Sequence, residues 1–364
     1  MQQVRVGLGD RSYDIRVGGV LIKTLGTSCR DLGLGLRCAV ISDDQVAPFY
    51  AEAALTSLRK AGFDPILHTI PAGEASKCLR EVGRCYDALA GHRLERKSFI
   101  VALGGGVVGD LAGFVASSYL RGVSFVQVPT TLLAQVDSSV GGKVGVNLKA
   151  GKNLVGAFYQ PRLVLCDQDA FATLPEREYR AGIAEVIKYG VIYDAPLFER
   201  LEKQMEKVVK RDRKILAEVV ARCCEIKAEV VGQDETESGL RAILNFGHTI
   251  GHAIEAISGY GKFLHGEAIS IGQVAAARLS ERTLGFPQSE TARLRELFVR
   301  GGLPVQVSLN RPAVEKLLAA TRLDKKVAAG EIRFVLARKI GLVEHGHKVP
   351  EGLVREVVVS MGAQ

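Results

Sequence analysis

The chain has 364 residues, of which 47% are hydrophobic, and its formal net charge is +8. A chain of this length and composition can bury a large core and more often forms two domains than one. The basic residues are dispersed and aromatic residues make up only 6%, so we expect no nucleic-acid partner; a basic balance equally suits a site for an anionic small molecule.

Two features of the sequence argue against export or a membrane anchor. Residues 1–20 mix charged and apolar positions, which is not the pattern of a signal peptide. The most apolar run, 98–118, is interrupted by Asp110 and several glycines, so it suits a buried strand and turn better than a bilayer span. Seven cysteines without a paired CxxC spacing indicate reduced thiols, and we expect a cytoplasmic protein without membrane contact.

Strand-like and helix-like segments alternate in the first half of the chain. After two short strands near the N-terminus, the hydrophobic pattern predicts a strand, a helix, a strand, a helix and a strand, at 38–42, 45–62, 66–70, 74–93 and 99–103. Such alternation is typical of a parallel α/β sheet. From about Glu178 the periodicity becomes helical, most clearly over 197–231.

A glycine-rich turn follows the strand predicted to end at Leu103. Gly104-Gly105-Gly106-Val107-Val108-Gly109-Asp110 has the GxGxxG spacing and opens a helix, where backbone N–H groups could hold a pyrophosphate. Turn glycines without a ligand are the alternative. The acidic residue expected about twenty positions later is missing, but Asp43 and Asp44 end an earlier strand and could bind a ribose or simply cap the next helix.

A second cluster of ligand-type residues follows the strand predicted at 123–128. Thr130 and Thr131 come directly after it, then the glycine-rich turn 138–143 with its serines and Lys143, and then Lys152 and Asn153. Hydroxyl groups and a cation on a glycine-rich turn suit a phosphate or a ribose. A purely structural polar network is the alternative.

Three of the seven histidines lie close together in the second half of the chain. His248 and His252 are four residues apart, so on a helix both rings leave one face, and His265 could meet them from the next helix. Thr249 excludes the HExxH protease motif. The pattern predicts a metal site, with ordinary helix histidines as the alternative. His345 and His347 fit an exposed loop better than a second metal site.

These motifs complete the predicted fold class. We expect an α/β protein in which an N-terminal parallel-sheet, Rossmann-like nucleotide-binding domain over 1–175 precedes a mainly α-helical metal-binding domain over 176–364.

Taken together, the motifs resemble the 3-dehydroquinate synthase family in order and spacing over most of the chain. The matching segments are PAGEASK at 71–77, GGGVVGD at 104–110, SSYLRG at 117–122, PTTLLAQVDSSVGGKVGVN at 129–147, GKNLVGAFYQP at 151–161, AGIAEVIKYG at 181–190, ESGLRAILNFGHTIGHAIE at 237–255, HGEAISIG at 265–272 and LDKK at 323–326.

The resemblance implies two cofactors. One is a divalent metal, zinc or alternatively cobalt, on Glu185, His248 and His265; spacing alone leaves Asp137 and Glu267 as equal candidates for the carboxylate. The other is NAD. The positions implied for NAD are Asp43 or Asp44, Glu74, Lys77, Gly105, Gly106, Val107, Val108, Gly109, Asp110, Thr130, Thr131, Lys143, Lys152 and Thr173.

The resemblance also implies a set of substrate-binding and catalytic residues and a homodimer, in which Arg121 reaches the substrate of the neighbouring subunit. Either Lys325 or Lys326 belongs to the set, and the sequence does not decide which. The implied positions are Arg121, Asp137, Lys143, Lys152, Asn153, Lys188, Lys227, Glu237, Arg241, Asn245, His252, Lys325 and Lys326.

The implied reaction converts 3-deoxy-D-arabino-heptulosonate 7-phosphate, a sugar-acid phosphate, to 3-dehydroquinate and phosphate in the shikimate pathway. It runs through NAD-dependent transient oxidation, phosphate elimination, re-reduction and intramolecular aldol closure. One alternative is another sugar-phosphate cyclase, of the deoxy-scyllo-inosose or epi-valiolone synthase type, whose substrates lack the carboxylate. The other is a metal-dependent polyol dehydrogenase, which would release NADH at each turnover.

Overall fold

The protein is described from a computed structural model that covers residues 1–259, 262–322 and 332–362. The chain forms two compact units. The first comprises Met1–Pro175 and Val220–Gly232, and the second comprises Glu176–Val219 and Gln233–Gln364. Within the described residues, no helix has the length and apolarity that a bilayer crossing requires.

Among its described residues, the first unit contains nine strands and four complete α-helices, besides part of a helix that it shares with the second unit. The strands are β1 (Gln2–Val6), β2 (Tyr13–Gly18), β3 (Arg37–Asp43), β4 (Asp64–Ile70), β5 (Phe99–Gly104), β6 (Ser124–Pro129), β7 (Lys143–Leu148), β8 (Gly151–Phe158) and β9 (Leu163–Asp167). The helices are α1 (Leu25–Asp31), α2 (Ala47–Lys60), α3 (Leu79–Gly91) and α4 (Gly106–Ser118).

Seven of these strands form one sheet in the order β1-β2-β9-β6-β5-β3-β4. Only the β1–β2 pair is antiparallel; every other neighbouring pair is parallel. Side chains alternate between the two faces, so that Val40 packs with α1 and α2 while Ala39 and Ile41 pack with α3 and α4. Burial of both faces explains why the central strands are largely apolar, with Ser42 and Gln127 as buried exceptions. The predicted parallel α/β sheet is confirmed.

Strands β7 and β8 pair antiparallel as a separate hairpin. Gly113 lets this hairpin approach α4, because a Cβ atom there would lie 3.0 Å from the Cβ of Val144. The hairpin carries Lys143, Lys152 and Asn153, three of the residues that the sequence nominates for ligand contact.

The second unit is mainly helical. Its helices, including the shared helix α7, are α5 (Glu176–Ile192), α6 (Ala195–Val209), α7 (Arg213–Gln233), α8 (His248–Ser258), α9 (His265–Leu284), α10 (Gln288–Arg300), α11 (Arg311–Arg322) and α12 (Glu351–Ser360). It also contains the hairpin β10 (Arg333–Lys339) and β11 (Leu342–Lys348).

Glycines allow α5, α8 and α9 to approach one another closely. A Cβ atom on Gly266 would overlap the carbonyl oxygen of Ala181 in α5, and one on Gly272 would overlap the carbonyl oxygen of Gly247. Gly247 itself precedes α8 with φ +78°, a left-handed conformation that glycine adopts without strain. The backbones of the three helices can therefore come together where their histidine and glutamate side chains lie.

The structure corrects three predictions of secondary structure. The helical segment 197–231 is two helices, α6 and α7, separated at Arg211, whose φ of +59° no α-helix accommodates. The predicted helix 74–93 begins only at Leu79, because Cys78 is extended and bridges to Asn147. His345 and His347 lie on strand β11 instead of a loop.

Candidate active site

Three histidine rings converge in the second unit. His248 is the first residue of α8, His252 lies one turn later, and His265 is the first residue of α9. The ring centroids are 5.2 Å apart for His248 and His252, 5.5 Å for His248 and His265, and 5.8 Å for His252 and His265. One nitrogen from each ring lies within 4.8 Å of the others, so the predicted cluster exists as a geometric group.

Glu185, near the middle of α5, places a carboxylate beside two of these rings. Its Oε1 lies 3.7 Å from Nε2 of His248 and 3.8 Å from Nε2 of His265. The side chain is completely buried, and Oε2 forms an ion pair with the buried ammonium of Lys188 one turn later on the same helix. A buried carboxylate costs several kcal/mol unless cations compensate it, so this position demands positive charge.

Both imidazoles are oriented through their other nitrogen. Nδ1 of His248 lies 3.1 Å from the carbonyl oxygen of Phe246, and Nδ1 of His265 lies 3.1 Å from Oε2 of Glu255. A carbonyl and a carboxylate oxygen accept hydrogen bonds, so each ring carries its proton on Nδ1. The lone pairs therefore lie on the two Nε2 atoms, which face Glu185.

This donor set fits a divalent metal. Oε1 of Glu185 is buried and accepts no hydrogen bond from any described residue. Zinc bonds of about 2.0–2.2 Å in a tetrahedron separate adjacent ligand atoms by roughly 3.3 Å, so the observed 3.7 and 3.8 Å need only a small closure around an ion. Two neutral imidazoles and one carboxylate are a common donor set for catalytic zinc.

The other two carboxylates that spacing left open are engaged elsewhere. Both oxygens of Glu267 accept hydrogen bonds from Arg177, at 2.7 and 2.8 Å, and Oε2 also accepts the N–H of Leu264 at 2.9 Å. Asp137 belongs to the first unit, where Oδ1 pairs with Nζ of Lys227 at 2.5 Å. Of the two candidates that belong to the second unit, Glu185 is thus the one that faces the histidine rings.

Three further nominated residues lie on the segment between α7 and α8. Asn245 donates through Nδ2 to Oε1 of Glu237 at 2.7 Å, and Glu237 has a left-handed backbone with φ +63°. Arg241 is 2% exposed, and its guanidinium donates to the carbonyl of Glu235. These contacts fix a buried arginine and a half-buried amide in this segment.

Asp234 organises that segment. Its Oδ1 accepts the N–H of Ser238 at 2.9 Å, and its Oδ2 accepts the N–H groups of Gly239 and Arg241 at 2.8 and 3.0 Å. Burial alone would raise the pKa of Asp234, but the hydrogen bonds from these backbone groups outweigh it and lower the pKa to about 2. The carboxylate is therefore ionised wherever the protein is folded near neutral pH.

The glycine turn of the first unit leads from β5 into α4 as its spacing predicts. Gly105 precedes the helix and no side chain caps it, so its first N–H groups are available to a ligand. A Cβ atom on Gly105 would lie 3.2 Å from Cγ2 of Thr131. The buried hydroxyl of Thr130 has no hydrogen-bond partner within the described residues. This polar, glycine-lined cradle fits a phosphate-containing cofactor.

The two aspartates after β3 have local roles. Oδ1 of Asp43 accepts the N–H groups of Gln45 and Val46 at 3.0 and 2.8 Å, so it closes the turn before α2 and does not cap the helix itself. Oδ1 of Asp44 accepts the N–H of Ala72 at 3.0 Å.

Two other nominated cofactor residues form an ion pair. Nζ of Lys77 contacts Oδ2 of Asp110 at 2.5 Å, with Lys77 5% exposed. Burial raises the pKa of Asp110 and the neighbouring ammonium opposes the shift. Thr173 lies apart from this pair, where its hydroxyl is 2.7 Å from that of Tyr50.

The remaining nominated residues of the first unit lie on three different elements. Lys227, on the part of α7 that joins this unit, donates to the carbonyl and carboxylate of Asp137, both at 2.5 Å. Asn153 is on the exposed side of the β7–β8 hairpin with φ +54°, and Arg121 is exposed after α4 with φ +70°. Lys325 and Lys326 lie outside the described residues.

The sequence analysis missed Glu255, Asp234 and Asn147. Glu255 is three residues after His252 and seven after His248, so helical spacing could have placed it on their face. Asp234 precedes a polar, glycine-containing segment, a weak sign of a side-chain-capped turn. Asn147 forms contacts only through the folded hairpin, which local patterns do not reveal.

We expect Asp234→Asn to destabilise the protein in a pH-dependent way. The folded-state pKa of about 2 lies below the unfolded value of about 3.9, so the stabilisation is present above the unfolded value and disappears as the pH falls through the folded one. Urea unfolding near neutral pH should show a loss of about 1–3 kcal/mol that shrinks toward about pH 2.5. Asp212→Asn is the matched control, and an equal, pH-independent loss in both variants would contradict the assignment.

Comparison with known proteins identifies relatives of the whole chain. Family models described as 3-dehydroquinate synthase N-terminal and C-terminal match residues 67–181 and 182–327. A 3-dehydroquinate synthase of Geobacter metallireducens is 52% identical over 341 residues, which are 94% of each protein.

Two solved synthase structures share the fold. A 2-deoxy-scyllo-inosose synthase complexed with carbaglucose-6-phosphate, NAD+ and Co2+ is 26% identical with a TM-score of 0.88, over 99% of this chain and 100% of the other. ValA, the 2-epi-5-epi-valiolone synthase of Streptomyces hygroscopicus subsp. jinggangensis 5008 with NAD+ and Zn2+ bound, is 28% identical with a TM-score of 0.87, over 98% of each chain. The family models together span residues 67–327, and with a relative 52% identical over nearly the full length they show that this chain belongs to the 3-dehydroquinate synthase family.

Proposed function

We propose that the chain converts 3-deoxy-D-arabino-heptulosonate 7-phosphate to 3-dehydroquinate and phosphate, with NAD and one divalent metal as cofactors. The observation that carries the proposal is the convergence of Oε1 of Glu185 with Nε2 of His248 and of His265, beside the buried Lys188, in a chain of this family. All seven cysteines lie in the described residues and none forms a disulfide, which supports a reducing, cytoplasmic location.

The two units have different proposed roles. In the first unit, NAD would be held by the glycine turn before α4, the hydroxyl of Thr130 and the Glu74–Lys77 segment. In the second unit, the metal would be held by Glu185, His248 and His265. Two nitrogen ligands and one oxygen ligand favour zinc. When bound, the metal supplies a Lewis acid and NAD supplies a reversible hydride acceptor.

Positive side chains match a substrate that carries a phosphate and a carboxylate. Asp137 holds the ammonium of Lys227 through two hydrogen bonds, so that its position is fixed before a ligand arrives. Lys152, Asn153 and Arg241 are the proposed phosphate contacts. Preorganised cations of this kind stabilise the negative charge that develops as phosphate leaves.

His252 is the proposed proton acceptor for the substrate hydroxyl. It lies one turn after His248 on α8 and is partly exposed, so a proton taken up by its imidazole can pass to water. An imidazole nitrogen can both accept and release a proton, which suits this role.

The other cyclase activities and the polyol dehydrogenase are less well supported. The solved structures of 2-deoxy-scyllo-inosose and 2-epi-5-epi-valiolone synthases are 26% and 28% identical to this chain, whereas the Geobacter metallireducens 3-dehydroquinate synthase is 52% identical. A dehydrogenase would have no need for several phosphate-directed cations.

Simultaneous detection of phosphate and NADH tests the proposed reaction. The zinc-loaded chain is mixed with the heptulosonate phosphate and a small amount of NAD, and we expect one phosphate for each substrate consumed, without accumulation of NADH. Glu185→Ala is the inactive control. Accumulation of NADH without phosphate would indicate a dehydrogenase, and no reaction with this substrate would contradict the proposal.

Metal retention tests the ligand assignment. We expect three variants to lose zinc on dialysis, because each retains only two of the three proposed protein ligands. They are Glu185→Ala, His248→Ala and His265→Ala. His252→Ala should retain it, and Glu255→Ala should weaken zinc binding about 10–100-fold by releasing the ring of His265. Zinc is measured by atomic emission on samples whose folding is checked by circular dichroism. Loss of zinc in the His252 variant, with retention in the Glu185 variant, would instead indicate three histidine ligands.

We also propose a homodimer in which Arg121 contacts the substrate of the neighbouring subunit. Arg121→Ala should then raise the KM for the substrate about tenfold or more, as expected when a charged hydrogen bond is lost, and leave the KM for NAD unchanged. The exposed Arg59 provides a matched control as Arg59→Ala.

Subunit mixing distinguishes the two possible locations of Arg121. Co-refolded Arg121→Ala and Glu185→Ala chains should regain activity, because each heterodimer then contains one intact site. If Arg121 acts within its own chain, the mixture stays as impaired as the Arg121 variant, and the crossing role is wrong.

A further inference from the structure

The β7–β8 hairpin contains an irregularity at the residues proposed to contact phosphate. Val146 pairs with Val155, but the next pair is Leu148 with Gly151. One residue of β7, Asn147, therefore lies opposite three residues of β8, at positions 152–154. Such bulges redirect side chains and are common beside active sites. Here the bulge contains Lys152 and Asn153, and Asn153 has a left-handed backbone with φ +54°.

Asn147 stabilises this bulge from the opposite strand. Its Oδ1 accepts the N–H of Asn153 at 2.8 Å. The bulge displaces that N–H from the regular ladder of the hairpin, so the amide of Asn147 takes the place of a backbone carbonyl. Without it, the left-handed turn at Asn153 would lose a contact that holds its conformation.

The same side chain also binds the segment proposed to hold NAD. Nδ2 of Asn147 donates to Oε1 of Glu74 at 2.7 Å, and the backbone N–H of Asn147 donates to the carbonyl of Lys77 at 2.8 Å. Lys77 in turn contacts Asp110 on α4, the helix that follows the glycine turn. A continuous series of contacts within the first unit therefore joins the bulge to the glycine turn.

We infer that Asn147 is a positioning residue that couples the binding of the phosphate group to the binding of NAD. Both atoms of its amide are engaged within the protein, so it acts through the segments on either side. A ligand that orders one segment lowers the entropy cost of ordering the other, which makes each ligand bind more tightly in the presence of its partner. The inference rests on the proposed function, because it assumes that the bulge and the Glu74–Lys77 segment contact these ligands.

Binding measurements without turnover test this inference. NADH fluorescence gives the dissociation constant of NADH for the zinc-loaded full chain, with and without saturating inorganic phosphate. For the wild type we expect phosphate to tighten NADH binding at least about fivefold, and NADH to tighten phosphate binding by the same factor, because linkage is reciprocal.

Two substitutions separate the contacts of Asn147. Asn147→Asp keeps an acceptor for the N–H of Asn153 but places a carboxylate against Glu74, whereas Asn147→Ala removes both side-chain contacts. In each variant the coupling factor should fall to between about one and two. Glu74→Gln retains the acceptor oxygen and should retain the coupling even if NADH affinity changes. Asn310→Ala, which removes an exposed amide that accepts the N–H of Ala313 in the second unit, is the matched control.

The outcomes distinguish this inference from the function on which it rests. The coupling role is wrong if both Asn147 variants retain the coupling factor of the wild type. It is also wrong if phosphate has no effect on NADH binding to the wild type. Either result would leave the proposed activity intact. A wild type that does not bind NADH would overturn both.

Discussion

The buried carboxylate of Glu185 is the constraint on which the second unit depends. Lys188 on the same helix compensates Oε2 of this fully buried side chain, whereas Oε1 faces the Nε2 lone pairs of His248 and His265, at the first positions of α8 and α9, and receives no proton from them. A cation is needed to bring these three acceptor atoms together, and their convergence requires close backbones, which explains why glycines occur where α5, α8 and α9 approach one another. A side chain on Gly266 or Gly272 would separate helices that must bring Oε1 of Glu185 within 3.8 Å of Nε2 of His248 and of His265.

The first unit differs from the second in its proposed ligands, which carry phosphate groups. Backbone N–H groups at the start of α4 and paired ammonium groups provide the positive potential, while Asp110 and Asp137 fix the two lysines that would otherwise be flexible. Each lysine is thus held by a carboxylate before substrate binds.

The sequence predicted those features of the fold that depend on local motifs and on hydrophobic periodicity. The parallel sheet follows from buried strands alternating with helices, and the glycine turn at 104–110 opens α4 as its spacing indicates. The break between α6 and α7 at Arg211 was missed, because a three-residue turn interrupts the helical periodicity only briefly. The β10–β11 hairpin was also missed, because two short strands in a mainly helical half give only a weak alternation of apolar and polar residues. Helical spacing also predicted that His248 and His252 lie on one face. It could not identify Glu185 instead of Glu267 as the carboxylate beside the rings, because Glu267 is removed from that role by its hydrogen bonds with Arg177, a tertiary contact. Pairs such as Lys227 with Asp137, 90 residues apart, exist only through the tertiary fold.

The assignment of Glu185 as the carboxylate ligand is the central claim, and anomalous scattering from a crystal of the zinc-loaded protein at the zinc absorption edge tests it most directly. The account predicts one peak per chain at about 2.0–2.2 Å from Oε1 of Glu185, Nε2 of His248 and Nε2 of His265, with His252 outside bonding distance. A peak bonded to all three histidines, with Glu185 still paired only to Lys188, would contradict it.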